Sequence, residues 1–231
     1  GERNRIHILN LEKPQPLFAA AAAFIKRVVA DDGRVLFMGT KPSVREAIAC
    51  AGRWRATGRD VGVAINVSTR AFDDLDFSGR VEEYCRSASI ASSSVTLEVT
   101  ETQVLRDAER MMGVATQLRD AGFSLSVDGF GASITGLECL RGLPFNEIKI
   151  DQQLVDGCAT SSSQRAAIEA SLALAREQKM TTVAKGIQNR AEWELLFSLG
   201  CEFAQGFSIA RPMTEANLEL WAAEWMNPVA R

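Results

Sequence analysis

Histidine is nearly absent from this sequence, with His7 the only one. With no second histidine, and no serine or cysteine partnered to His7 in a visible motif, nucleophilic triad chemistry has little support. His7 sits in an apolar run, where a satisfied core or rim imidazole is the simpler reading. Cysteine is scarce and unpatterned: Cys50, Cys85, Cys139, Cys158 and Cys201 are odd in number and include no C-x-x-C pair. That argues against a disulfide framework or a cysteine-held zinc and leaves reduced, mostly buried thiols. Long apolar runs are missing too. The longest, Leu17 to Ile25, is too short to cross a bilayer, and no charged-then-apolar segment with a cleavage site opens the chain. The expectation is a cytoplasmic protein without a membrane partner. Excess positive charge is also lacking: the net charge is −3 and the pI near 5.4, so no nucleic acid polymer is expected as a partner.

What the chain has is apolar bulk, 46% of 231 residues, enough for a large core and within the size of an α/β barrel folded as one domain, residues 1–231. Short β-rich runs occupy 5–11, 34–39, 61–67, 95–99, 123–127, 147–150, 181–184 and 203–206. Helical patterns occupy 16–30, 43–57, 78–87, 107–121, 161–178, 191–199 and 215–225. Such alternation predicts parallel pairing, because parallel neighbours need a crossover long enough to hold a helix. Eight units are the number that closes a TIM-type (β/α)8 barrel; an open doubly wound sheet satisfies the same alternation. Ser43 with Glu46 has the spacing of a capping box, Ser161–Ser163 offer N-caps, and Gly58 and Gly122 fall where helices should stop. The run Ala19–Ala23 is a strong helix former. Trp54, Trp193, Trp221 and Trp225 fall on helices as outer-layer packing residues, and the last two, at i and i+4, form an apolar stripe suited to self-association if the terminal helix is displaced.

Six short motifs occur in order, each at a predicted strand end: Asn66-Val67-Ser68, Glu98-Val99-Thr100-Glu101, Asp128-Gly129-Phe130-Gly131, Lys149-Ile150-Asp151, Lys185-Gly186-Ile187-Gln188 and Gln205-Gly206-Phe207. On these, residues 49–213 resemble the EAL-domain family, bacterial barrels that hydrolyse or bind cyclic di-GMP. The first fifty residues, with RNRIHILNLEKPQPLF and GRVLFMGTKPSVREAI, instead resemble the small-subunit ribosomal protein S-two. The chain reads as a recombined or engineered chimera in which two ribosomal-like βα units complete the barrel.

The resemblance implies two divalent cations over the strand ends, clamping a phosphodiester and an attacking water. Asn66, Glu98 and Asp128 match metal ligands, and Lys149 matches the lysine near that water. The glutamate of the family's Glu-Ala-Leu motif has no counterpart, and Glu46-Ala47-Ile48 falls within a predicted helix and is not expected to supply it. Gly129 stands where the family has an aspartate, and Lys185 and Gln188 where it has glutamates. An ammonium ~4 Å from a cation opposes it by roughly 4 kcal/mol at an effective dielectric of ~20; it can instead pair with Asp128 or Glu98.

The expectation is therefore a catalytically inactive protein without cofactor, in which Glu98, Asp128 and Lys149 are vestigial and form a salt-bridge cluster. Asn66, Glu98, Asp128, Lys149, Gln188, Gln205 and Arg211 are the ligand-binding candidates. Gly129 and Gly131 either cradle phosphate or supply backbone freedom. The alternatives are a cyclic di-GMP receptor, a protein-interaction module with an unidentified partner, and a residual phosphodiesterase dependent on Mg²⁺ or Mn²⁺.

Overall fold

The computed structural model describes residues 5–9, 34–38, 43–58, 62–68, 71–72, 74, 76–131, 140–206 and 217, with backbone alone for 5–9, 34–38 and residue 43. Eight strands form one sheet in chain order: β1 Arg5–Leu9, β2 Arg34–Met38, β3 Gly62–Asn66, β4 Val95–Thr100, β5 Ser124–Phe130, β6 Glu147–Ile150, β7 Thr181–Lys185 and β8 Phe203–Gln205. The ribosomal-like segment thus adds two strands to the sheet that carries the other six. All pairs from β2 to β8 are parallel. The first pair is the exception: β1 runs antiparallel to β2 with His7 opposite Leu36, an orientation that the sequence leaves open. The connection over 10–33 is long enough to return the chain in either direction, so alternation alone could not fix this one.

From β3 to β8 side chains alternate across each strand, and both faces are largely buried. Val63 and Ile65, Val95 and Leu97, Leu125 and Val127, and Ile148 belong to the larger apolar cluster. Ile150 and Ala184 belong to a smaller one with Ile168, Leu172 and Leu196. The opposite face is polar although buried: Thr96, Glu98, Ser126, Glu147, Lys149 and Gln205 are all nearly inaccessible.

The helices cover the apolar face through spacings of three and four residues. Helix α1, Ser43–Ala56, buries Ala47, Ala51 and Trp54; α2, Phe77–Ser87, buries Phe77, Val81 and Cys85. A six-residue α3, Glu101–Arg106, starts directly from β4, with Thr100 as N-cap in a capping box with Gln103. Helix α4, Ala108–Asp120, is capped by Asp107 and buries Met111, Ala115 and Leu118. The short α5, Gln152–Val155, is capped by Asp151, and α6, Ser162–Gln178, by Ser161. Helix α7, Arg190–Ser198, has Asn189 and Glu192 as its capping box. Gly58 and Gly122 end α1 and α4 in the left-handed region, as their positions predict. The predicted helices over 16–30 and 215–225, the Ser43 side chain, Cys139, Trp221 and Trp225 lie outside the described residues, apart from residue 217.

The four described cysteines, Cys50, Cys85, Cys158 and Cys201, are all buried. Burial pushes the Cys201 thiol up to about 11, and burial with the nearby Glu82 carboxylate does the same for Cys85. Neither is disposed to form a thiolate nucleophile. No described helix is long and apolar enough to cross a membrane.

Candidate functional site

The parallel strands bring the predicted motifs to one edge of the sheet. Asn66 is level with Glu98 across β3 and β4, Thr100 with Asp128 across β4 and β5, and Lys185 with Gln205 across β7 and β8. Between β5 and β6 the register slips by one residue, from Val127 opposite Ile148 to Phe130 opposite Ile150. This bulge falls on Asp128-Gly129. Gly129 has φ +71°, and a Cβ there would stand 3.2 Å from Asp151 Oδ2. Backbone freedom is therefore the requirement at Gly129, and the bulge re-aims the neighbouring Asp128 side chain.

Two ion pairs organise this edge. Lys185 Nζ donates to Asp128 Oδ1 at 2.6 Å, reaching over β6, with the side chains 25% and 17% exposed. Below them Lys149 and Glu98 are in ion-pair contact, 0% and 1% exposed. Burial pushes the Glu98 carboxyl up to about 7; the Lys149 ammonium opposes this, and the Asp128 and Glu147 carboxylates add to it. Ser126 Oγ and Gln205 Oε1 are buried without a hydrogen-bond partner among the described residues.

Of the ligand-binding candidates, Asn66, Glu98, Asp128, Lys149 and Gln205 are thus assembled on adjacent strands, joined by Lys185. Gln188 is exposed on the loop after β7, where its backbone N–H donates to Glu192 Oε2 at 2.9 Å. Arg211 lies outside the described residues. Glu46 is exposed on α1, away from any strand end.

Sequence reasoning missed two features. Ser126 and Glu147 continue the polar face two residues before Asp128 and Lys149, a spacing that a strict two-residue period would have exposed. Glu192 fastens two loops by accepting from Gly157 N at 2.9 Å as well as from Gln188 N. Its signal was the N-x-x-E spacing from Asn189.

The resemblance implies divalent ions, and the donor set tests that directly. Among the described residues no group of three or more His, Cys, Asp or Glu side chains is placed to hold a metal ion. Glu98 and Asp128 are each engaged by an ammonium. The described residues, in this arrangement, do not fit a pair of divalent ions.

The EAL-domain family model matches residues 40–212. The chain belongs to the EAL-domain family. The ribosomal protein S2 family model matches residues 1–56, so 40–56 are matched by both. Among curated relatives of this EAL chain, the cyclic di-GMP phosphodiesterase PA2567 of Pseudomonas aeruginosa is 30% identical over 93% of this chain and 36% of its own length. The cyclic di-GMP phosphodiesterase PdeB of Shewanella oneidensis is 28% identical over 94% of this chain and 25% of its own. The chain therefore spans well under half the length of either. Among solved structures, the EAL domain of Mycobacterium smegmatis DcpA has a TM-score of 0.77 at 28% identity, covering 85% of this chain and 90% of that one. The PaMucR phosphodiesterase in its c-di-GMP complex has a TM-score of 0.75 at 25% identity, covering 94% of each chain. These likenesses support a TIM-like α/β fold.

The expectation of an inactive protein is corrected by these findings. EAL relatives matching nearly the whole chain are named as cyclic di-GMP phosphodiesterases, and no observation on this EAL chain shows loss of turnover. Counting carboxylates against a motif says how charge is distributed at the strand ends. It does not measure a rate.

Proposed function

We propose that the strand-end edge of this chain binds cyclic di-GMP. The observation that carries the reading is the set of Glu98, Asp128, Lys149 and Lys185 on four successive strands. Lys149 neutralises Glu98 in the interior, while Lys185 is partly open to solvent and engages one carboxylate oxygen. An ammonium has three donors, so Lys185 keeps capacity for a phosphodiester oxygen while Asp128 orients it. Support for the dinucleotide as the source of that phosphodiester comes from the EAL family match and from the PaMucR complex with c-di-GMP. Calorimetric titration with cyclic di-GMP tests the reading. Micromolar or tighter binding, weakened about tenfold in Lys185→Met, is expected; absence of binding by the folded wild-type protein would refute it.

A second reading, turnover to the linear dinucleotide, is favoured by the named activity of relatives matched over 93% and 94% of the chain. Chromatography of the nucleotide after incubation tests it, with Asp128→Asn as the control that should abolish product.

The architecture that goes with this function is a closed (β/α)8 barrel folded as one domain. It is supported by the burial of the polar face and by the approach of β1 to β8. A recombined origin for the first two strands is supported by the two overlapping family matches.

A further inference from the structure

The two lysines at the strand ends are not equivalent. Lys149 is fully buried and paired with Glu98, so its charge is compensated where no ligand in solvent reaches it. Lys185 is 25% exposed and makes its contact with Asp128 at 2.6 Å. A hard divalent ion recruiting Asp128 needs several oxygen ligands at about 2.0–2.6 Å. It would therefore have to displace this ammonium, which remains tethered to the end of β7. Among the described residues no group of three or more acidic, histidine or cysteine side chains is placed to hold an ion and offset that loss. Gln205, level with Lys185, retains a buried carboxamide oxygen without a partner among the described residues.

We infer that the Lys185 ammonium holds the place beside Asp128 that a divalent ion would need, so that the anionic ligand meets a protein cation and binds without metal. The inference rests on the cyclic di-GMP reading for the identity of the ligand and goes beyond it in stating how the charge is supplied. Lys185 is then the residue that sets the metal requirement of binding.

The test is calorimetry on the whole chain with two probes: cyclic di-GMP in excess EDTA or in Mn²⁺, and Mn²⁺ alone. The wild type is expected to bind the dinucleotide equally, within about twofold, in EDTA and in Mn²⁺, and to show no stoichiometric binding of Mn²⁺ alone. Lys185→Met should weaken dinucleotide binding in EDTA by about tenfold, and Lys185→Glu should raise Mn²⁺ affinity at least tenfold, with circular dichroism confirming that both variants fold. Dinucleotide binding that requires Mn²⁺, or stoichiometric Mn²⁺ binding by the wild type, would overturn the inference. If the dinucleotide binds under neither condition, the ligand reading fails, and the Mn²⁺ titrations of wild type and Lys185→Glu still decide whether the ammonium excludes the ion.

Discussion

Lys185 on β7 and Asp128 on β5 join across β6, Nζ to Oδ1 at 2.6 Å, above the buried contact between Lys149 and Glu98. The two pairs place carboxylates on β4 and β5 and ammonium groups on β6 and β7 within one edge of the sheet. They differ in exposure, and the difference in solvent decides what each is worth.

The upper pair is partly hydrated, so its coupling lies between that of a surface ion pair and that of a buried one. A double-mutant cycle with Lys185→Met and Asp128→Asn should give about 1–2 kcal/mol of coupling by urea unfolding. Coupling near zero would mean that the pair does not persist in solution.

The lower pair is inaccessible, and removing one partner strands the other. Lys149→Met should cost about 3–5 kcal/mol, because Glu98 is left buried without its cation, whereas the double variant Lys149→Met with Glu98→Leu should recover most of that loss. Equal destabilisation in the single and double variants would show that packing, not charge, governs the position.

The raised Glu98 carboxyl also has a pH signature. Its folded pKa of about 7 exceeds the ordinary 4.5, so the folded state binds more protons between those values. The resulting stability is fully present below about pH 4.5 and is lost as pH rises through 7, by at most about 3 kcal/mol. Carboxyl NMR of labelled Glu98 should show a midpoint near 7; a midpoint near 4.5 would contradict the burial argument.

Much of this arrangement was legible in the sequence. Each strand announced itself as a short run of β-formers between helix signals, and the strand-end motifs fell where parallel strands would gather them. The direction of β1 was not legible, since residues 10–33 allow either return. Nor was the bulge at Asp128-Gly129, which shows only when β5 is paired with β6. The polar face beneath Asp128 and Lys149 was readable from its two-residue period, but attention to motif ends passed over Ser126 and Glu147. The expectation of inactivity went further than the residues allow, because missing carboxylates were read as missing activity.

Glu192 offers a prediction away from the charged edge. Burial pushes its carboxyl up, but hydrogen bonds from the Gly157, Gln188 and Asn189 amides and from the Asn189 side chain outweigh this and leave it below the ordinary value. Its contribution to stability is therefore present above about pH 4.5 and lost as pH falls through the lowered folded pKa. Glu192→Gln should cost about 1–3 kcal/mol and speed amide exchange at Gly157 and Gln188 together. Faster exchange at only one of the two would show that Glu192 does not fasten the loops to each other.

Gly129 tests the bulge itself. Its φ of +71° disfavours any side chain, and an added Cβ would stand 3.2 Å from Asp151 Oδ2. Gly129→Ala should therefore cost about 1–2 kcal/mol through the left-handed backbone. Aspartate tolerates that conformation better than alanine, but it would add a carboxylate between Asp128 and Asp151. If conformation alone mattered, Gly129→Asp would be the milder change; with like charges crowded at the bulge it should be at least as damaging as alanine, and added salt should narrow the gap. Thermal unfolding of both variants at low and high salt separates the two effects. A salt-independent advantage for aspartate would show that charge does not limit this position.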